Sequence, residues 1–72
     1  MVTIDYIQNF FRQSGNDEMI KENTNLSELE IDSITMVELL NTIEEDFNII
    51  IPWSDIENNI SIGEFCRKIN NL

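Results

Sequence analysis

Asp32 and Ser33 are the residues of this chain whose types and spacing could support chemistry. They place a carboxylate beside a hydroxyl, directly before an amphipathic segment that runs to Phe47. The N-terminus of a helix is positively polarised, so a phosphate ester on Ser33 would be favoured there. Asp and Ser are also common N-cap residues. On these two residues alone, a plain helix cap explains the pair better than a phosphate site does.

The composition argues against an enzyme and against a metal site. The chain has no histidine, which is the commonest general base and the commonest zinc ligand. Its single cysteine, Cys66, therefore has no histidine to activate it and no second cysteine for an internal disulfide. We expect Cys66 to be a small core residue. The acidic stretch Glu44–Asp46 is interpreted as a solvated helix end.

The charge balance indicates which partners the protein can bind. Four basic residues stand against fourteen acidic ones, giving a net charge of −10. Nucleic acids and anionic membranes repel such a surface, so neither is expected as a partner. Proteins with basic patches are favoured, in contacts that salt weakens. The acids could equally serve only to keep a small domain soluble.

Length and segment composition predict one domain over residues 1–72, cytoplasmic and monomeric. No apolar run approaches the length of a membrane span. The first residues, Met1–Ile7, include an acid and lack the basic region of a secretory signal. A lone cysteine also fits a reducing compartment.

Helical periodicity predicts the first part of the fold. Thr3 is expected to cap a first helix that stops at Ser14-Gly15. Its apolar stripe consists of Ile4, Ile7, Phe10 and Phe11. Residues 16–31 show no sustained helical stripe and predict a long loop. The residues expected to pin that loop to the core are Ile20, Leu26, Leu29 and Ile31.

Capping signals predict the second half of the chain. A second helix is expected over Ser33–Phe47, with Asp32 as N-cap and Asn48 at the left-handed C-terminal position. An extended connector, Ile49–Ile51, leads to Pro52, which opens a short third helix over about Trp53–Asn59. Ser61 caps a last helix, whose apolar side consists of Ile62, Phe65, Ile69 and Leu72. The prediction is an all-α four-helix bundle with a short third helix and a long loop between helices 1 and 2.

The second helix has two apolar sides when it is drawn at 100° per residue. Its core side consists of Met36, Leu40, Ile43 and Phe47, with Leu39 at the edge. Ile34 and Val37 lie elsewhere, next to Ser33. They share the second side with Glu38, Asn41, Glu44 and Glu45. Scattered surface apolar residues are normal, whereas an apolar patch with a charged rim is typical of a transient interface, and periodicity leaves both interpretations open.

The order of these residues resembles a known family. Asp32-Ser33-Ile34, followed by Val37-Glu38-Leu39 and by an acidic stretch ending at Phe47, resembles the attachment motif of acyl carrier proteins. In that family Asp-Ser-Leu precedes Val-Glu-Leu and an acidic stretch ending in Phe. The upstream loop leucines, the connector and the last helix are similar too, so the resemblance covers essentially the whole chain.

The resemblance implies a helical bundle of acyl-carrier type and a protein that is not an enzyme. It implies that a phosphopantetheinyl transferase, using coenzyme A and Mg²⁺, attaches 4′-phosphopantetheine to Ser33. The arm would carry acyl intermediates as thioesters between enzymes of fatty-acid or polyketide and other specialised biosynthesis. Acyl-transferring and synthase enzymes with basic patches would dock on Asp32, Ile34, Val37, Glu38, Asn41, Glu44 and Glu45.

Four residues depart from the family pattern and leave the pathway and the cargo open. Glu30 replaces a common Gly, Thr35 a frequent Asp, Asn41 an apolar residue, and Trp53 a small acidic one. An alternative function is an unmodified acidic interaction module that binds a basic partner through the Ile34/Val37 face. A Ser33→Ala change would abolish a carrier and spare such a module.

Overall fold

The structure is a computed structural model that describes residues 1–29, 31–52, 56 and 59–72. Its elements are the α-helices α1 (Ile4–Gln13), α2 (Ser33–Phe47) and α3 (Ile62–Asn70), with a short 3₁₀ helix at Leu26–Leu29. In these residues there is no β-strand, only one isolated antiparallel bridge between Asn25 and Ser61. The all-α prediction is confirmed. The predicted short helix over 53–59, with Trp53, falls mostly outside the described residues, as does Glu30.

Helix α1 begins and ends where its capping residues predict. The Thr3 hydroxyl accepts a 3.1 Å hydrogen bond from the Tyr6 N–H. At the other end Gly15 adopts φ +92°, the left-handed conformation that lets the chain fold back. The Gly15 N–H then reaches the Arg12 carbonyl, and the Asn16 N–H reaches the Phe11 carbonyl. This Schellman pair satisfies carbonyls that the end of the helix would otherwise leave unbonded.

Helix α2 has the predicted bounds, Ser33 to Phe47. Asp32 is its N-cap, and Asn48 ends it at φ 53°, a left-handed conformation that Asn tolerates. The core side of α2 is also confirmed in its centre. Leu39, Leu40 and Ile43 are buried, while Met36 and Phe47 pack partly buried against the core.

Two details of the predicted fold are wrong. The segment 16–31 was predicted as loop throughout, but the 3₁₀ helix Leu26–Leu29 lies within it. Leu72 was placed on the buried side of the last helix, yet α3 ends at Asn70 and Leu72 is 57% exposed. Ser61 does cap α3, accepting a hydrogen bond from the Glu64 N–H.

In the described part of the chain, the core lies between α1, α2, α3 and the loop. Its fully buried side chains come from every helix and are Ile7, Phe11, Leu39, Leu40, Ile43, Ile62 and Phe65. The loop contributes its predicted contacts, since Ile20, Leu26 and Leu29 are buried and Ile31 packs against the cluster. Burying such side chains is the main favourable contribution to folding.

A buried amide fixes the start of the loop. Gln8 is 6% exposed, and its Nε2 donates to the Glu18 carbonyl at 2.8 Å. Its Oε1 accepts from the buried Ile20 N–H at 2.7 Å. Both ends of one side chain therefore satisfy main-chain groups that have no helix or sheet partner.

The end of the loop is held against the start of α3. The Ile62 N–H donates to the Thr24 carbonyl at 2.8 Å, and the Gly63 N–H donates to the Glu22 carbonyl at 2.9 Å. Gly63 allows this approach, because a Cβ there would clash with the Glu22 side chain. An exposed ion pair between Arg67 and Glu22 spans the same contact at 3.2 Å.

The two ends of the described chain meet. Asn70 Oδ1 accepts from the Val2 N–H at 2.8 Å, and Asn70 Nδ2 donates to the Val2 carbonyl at 3.0 Å. Val2 itself is buried. This amide pair fastens the segment before α1 to the last turn of α3.

Candidate functional site

Asp32, not Ser33, caps helix α2. Asp32 Oδ1 accepts a 2.7 Å hydrogen bond from the Thr35 N–H, the third residue of the helix. Hydrogen bonds from Thr35, chiefly the backbone one, lower the pKa of Asp32 below its ordinary value. The carboxylate is thus held ionised in the capping position. The predicted N-cap, Asp32, is confirmed, and Ser33 is not the capping residue.

Ser33 is the first residue of α2, and it is exposed. Within the described residues its hydroxyl makes no hydrogen bond to the protein. A covalent group on this hydroxyl would therefore displace no hydrogen bond to that part of the chain. It also lies at the positively polarised end of the helix, where a phosphodiester would be stabilised. The local geometry fits a serine-linked phosphopantetheine group.

The exposed side of α2 combines apolar and acidic residues as predicted. Ile34 is 69% exposed and Val37 is 38% exposed. The exposed polar residues of the same side are Glu38, Asn41 and Glu45. Helix α2 contains four acids and no basic residue, so all of its charged side chains are negative. We call this surface, from Ile34 to Glu45, the outer face of α2.

Glu44 has a structural role that sequence reasoning missed. Its Oε2 accepts from the Ile51 N–H at 2.7 Å, while its main-chain carbonyl accepts from the Ile49 N–H at 3.2 Å. These bonds hold the connector on both sides of Ile50, which is 85% exposed. The contact joins residues across the turn after α2, so helical periodicity gives no signal for it.

Two clefts open along the seam between α1 and α2. The proximal cleft, at the N-terminal end of α2, has a volume of about 130 Å³ and is lined by Phe11, Ser14, Asn16, Leu29, Ile31, Asp32 and Thr35. The distal cleft, at the other end, has a volume of about 260 Å³ and is lined by Tyr6, Asn9, Phe10, Gln13, Thr42 and Asp46. Sequence patterns did not reveal either cleft, because each depends on how α1 packs against α2.

The remaining reactive side chain is inaccessible. Cys66 is 7% exposed, as expected for a core residue, and burial raises the pKa of its thiol more than the nearby Arg67 charge lowers it. Among the described residues, no three acidic or cysteine side chains come together as a metal site would require. In that same part of the chain, every helix is too short or too polar to cross a membrane.

Comparisons with known protein sequences found similar proteins. The family model described as "Phosphopantetheine attachment site" matches residues 6–69. The acyl carrier protein of Campylobacter jejuni strain RM1221 is 39% identical over 56 residues, and that of strain 81-176 is 38% identical over 56 residues. Each alignment covers 78% of this chain and 73% of the relative. No solved structure gives a significant match.

The family model covers most of the chain, and the relatives are similar over most of their own length. The predicted family resemblance is therefore confirmed. The chain belongs to the acyl carrier protein family, whose members are carriers rather than enzymes and hold a covalent 4′-phosphopantetheine group.

Proposed function

We propose that Ser33 Oγ is the attachment atom of the phosphopantetheine arm, and that this protein passes acyl groups between biosynthetic enzymes. The observation that carries the proposal is the division of roles between two neighbours. Asp32 caps α2, and the adjacent Ser33 is exposed, with no hydrogen bond from its hydroxyl to any of the described residues.

The attachment step uses a hydroxyl nucleophile from this chain. Ser33 Oγ attacks the phosphorus atom that bears the pantetheine unit of coenzyme A, and a new P–O bond forms. The P–O bond within the pyrophosphate breaks, and adenosine 3′,5′-bisphosphate leaves. The transferase would supply the base that takes the Ser33 proton, together with Mg²⁺ to offset the phosphate charge.

When attached, the arm supplies a thiol that carries the cargo as a thioester. The chain's own contribution is to hold Ser33 at a fixed helix end and to present the outer face of α2 to each enzyme. A tethered cargo meets a docked enzyme at a raised effective concentration. Because α2 has no basic residue, partner enzymes need basic patches, and docking weakens as salt rises.

The docking residues we propose are Asp32, Ile34, Val37, Glu38, Asn41, Glu44 and Glu45. Ile34 and Val37 supply the apolar contact, and the acids around them give steering and orientation. Asn41 places an amide between Val37 and Glu45 on this face. That polar centre favours enzymes of a specialised pathway, such as polyketide synthesis, over those of fatty-acid synthesis. We further propose that a short third helix completes a four-helix bundle.

Intact-mass analysis tests the attachment atom. The purified protein is incubated with coenzyme A, Mg²⁺ and a broad-specificity phosphopantetheinyl transferase. We expect a gain of one phosphopantetheine in the wild type and in a Ser27→Ala control, which removes another exposed hydroxyl. We expect no gain in Ser33→Ala. The same mass gain in Ser33→Ala would refute Ser33 Oγ as the attachment atom.

One observation also favours the unmodified interaction module, namely the exposure of Ile34 and Val37 among acids. A module of that kind should still bind its basic partner after the Ser33→Ala substitution. No mass gain in the folded wild type, with another carrier modified in parallel, would favour the module over the carrier.

A further inference from the structure

The proximal cleft is a mixed polar and apolar site next to the attachment residue. Phe11 and Leu29 are buried, so they form an apolar floor, and the partly buried Ile31 borders it. Ser14, Asn16 and Thr35 add polar groups to the lining. A site of this composition suits a ligand that has both apolar branches and hydrogen-bonding groups.

The cleft lies within reach of Ser33. Its lining includes Asp32, whose Cα is one peptide, about 3.8 Å, from that of Ser33. It also includes Thr35, which lies in the same first turn of α2. A group attached to Ser33 Oγ therefore starts beside two residues of the cleft lining, and we expect it to reach the cleft around the end of the helix.

The charge of Asp32 selects which part of an attached group enters. Its carboxylate is held ionised in the cleft wall by the Thr35 N–H. An anionic phosphate is repelled from such a wall, whereas an uncharged segment is not. The phosphate is therefore expected to stay at the helix end, with the uncharged part beyond it free to fill the cleft.

We propose that the proximal cleft binds the uncharged segment of the arm that follows the phosphate. The two methyl groups of that segment pack on Phe11, Leu29 and Ile31. Its hydroxyl and first amide meet the polar groups of Ser14, Asn16 and Thr35. This inference rests on the proposed attachment at Ser33, and it assigns the arm a resting position on the α1 side of α2.

The distal cleft provides a matched control within the same seam. Thr42 follows Thr35 by seven residues, so it lies on the same side of α2, about two turns further on. It lines the distal cleft, as Thr35 lines the proximal one. Substituting Phe at either position adds the same bulk to a cleft, but only Thr35 is beside Ser33.

Nuclear magnetic resonance of the modified protein tests the proposal. Isotope-labelled wild type is converted with coenzyme A and the transferase, and conversion is confirmed by mass. We expect nuclear Overhauser contacts from the two methyl groups of the arm to protons of Phe11 and Ile31. Amide shifts on attachment should be several-fold larger at Ser14 and Asn16 than at Asn9 and Gln13. Thr35→Phe should abolish the contacts, and Thr42→Phe should retain them.

Each outcome decides between the two proposals. A full mass gain without methyl contacts to the proximal cleft overturns the resting position and leaves attachment at Ser33 intact. No mass gain in the wild type overturns the attachment and the resting position together. If Thr35→Phe resists modification or fails to fold, the contacts in the wild type decide alone.

Discussion

The Tyr6 hydroxyl donates a 2.6 Å hydrogen bond to Asp46 Oδ2, which joins the first turn of α1 to the last turn of α2. The Tyr6 ring also meets Phe47 edge to face, with centroids 5.3 Å apart. Burial raises the pKa of Tyr6 well above its ordinary value, and the hydrogen bond and the charge of Asp46 raise it further. The contact therefore depends on a protonated tyrosine.

Alkaline unfolding tests this contact. Because the pKa of Tyr6 is higher in the folded state than in the unfolded state, its stabilising effect is complete below about pH 10. This effect is lost as the pH rises above that value, since Tyr6 loses its proton in the unfolded chain at a lower pH than in the folded protein. Tyr6→Phe should lower the free energy of unfolding at pH 7 by up to about 1 kcal/mol. The variant should also lose stability less steeply than the wild type above pH 10 in urea titrations.

Tyr6 is the only tyrosine in the chain, so tyrosinate absorbance follows this one group. Its titration in the folded wild type should lie well above that of the urea-unfolded protein. Coincident titrations of the two states would contradict the contact.

Gln8 should be among the most sensitive polar positions. Gln8→Met keeps the volume but leaves the Ile20 N–H and the Glu18 carbonyl without partners. We expect a loss of about 2–4 kcal/mol, because each unsatisfied buried group costs about 1–3 kcal/mol. Equilibrium unfolding in urea measures this loss. A loss below 1 kcal/mol would mean that the start of the loop is held by other contacts.

Gln8→Glu should make the stability of the folded protein depend on pH through this position. A protonated carboxyl can replace both hydrogen bonds, whereas a carboxylate faces the Glu18 carbonyl and is buried, so the pKa of the new group is raised. Its stabilising effect is present below about pH 4.3 and is lost as the pH rises through the folded value. The variant should therefore approach wild-type stability at acidic pH and fall behind it at neutral pH.

The Asp32 side chain both caps α2 and carries a negative charge, and two substitutions separate these roles. Asp32→Asn keeps a capping oxygen, so its thermal midpoint should stay near that of the wild type. Asp32→Ala removes the cap and should lower the midpoint. The pKa of Asp32 is lowered in the fold, so its contribution is present at neutral pH and is lost as acid protonates it. The gap between wild type and Asp32→Ala should accordingly narrow at low pH.

The same two substitutions separate the effect of Asp32 on folding from its effect on recognition by the transferase. If the transferase recognises the charge of Asp32, it should attach phosphopantetheine to both variants more slowly than to the wild type. Only Asp32→Ala should be less stable. Equal modification rates for Asp32→Asn and wild type would remove Asp32 from the docking residues.

Gly63 and Glu22 should be energetically coupled. A Cβ at position 63 would clash with the Glu22 side chain and lie 3.1 Å from its carbonyl oxygen. Overpacking costs about 1–3 kcal/mol, which exceeds the gain of about 1 kcal/mol that Ala offers in a helix. Gly63→Ala should therefore destabilise the wild type by about 1 kcal/mol. In a Glu22→Ala background the cost should shrink, and a double-mutant cycle measures the difference. Equal costs in both backgrounds would exclude the clash.

The sequence predicted the elements whose signals are local. The bounds of α2 follow from the capping residues Asp32 and Asn48, and the end of α1 follows from Gly15. The exposure of Ile34 and Val37 follows from a helical wheel. Each of these signals involves residues within a few positions of one another, where backbone geometry alone sets the outcome.

The features that the sequence did not predict depend on packing. The Tyr6–Asp46 bond joins residues 40 positions apart, and Gln8 acts on residues 10 and 12 positions away. Nothing near either residue in the chain marks its partner. The 3₁₀ helix Leu26–Leu29 has four residues, too few to show a period. The role of Ser33 does not follow from Asp32-Ser33 alone, because helix caps and phosphate sites use the same residue types.

The amide pair between Val2 and Asn70 has a practical consequence. Val2 precedes the turn of α1 that Tyr6 fastens to the far end of α2, whereas Ser33 begins that helix. With a rise of about 1.5 Å per residue, the two ends of α2 are roughly 20 Å apart, and the Val2–Asn70 pair lies towards the end opposite Ser33. A dye, a bead or a fused protein joined beside Val2 or Asn70 would therefore point away from Ser33, leaving the carrier free to load and unload while it is held.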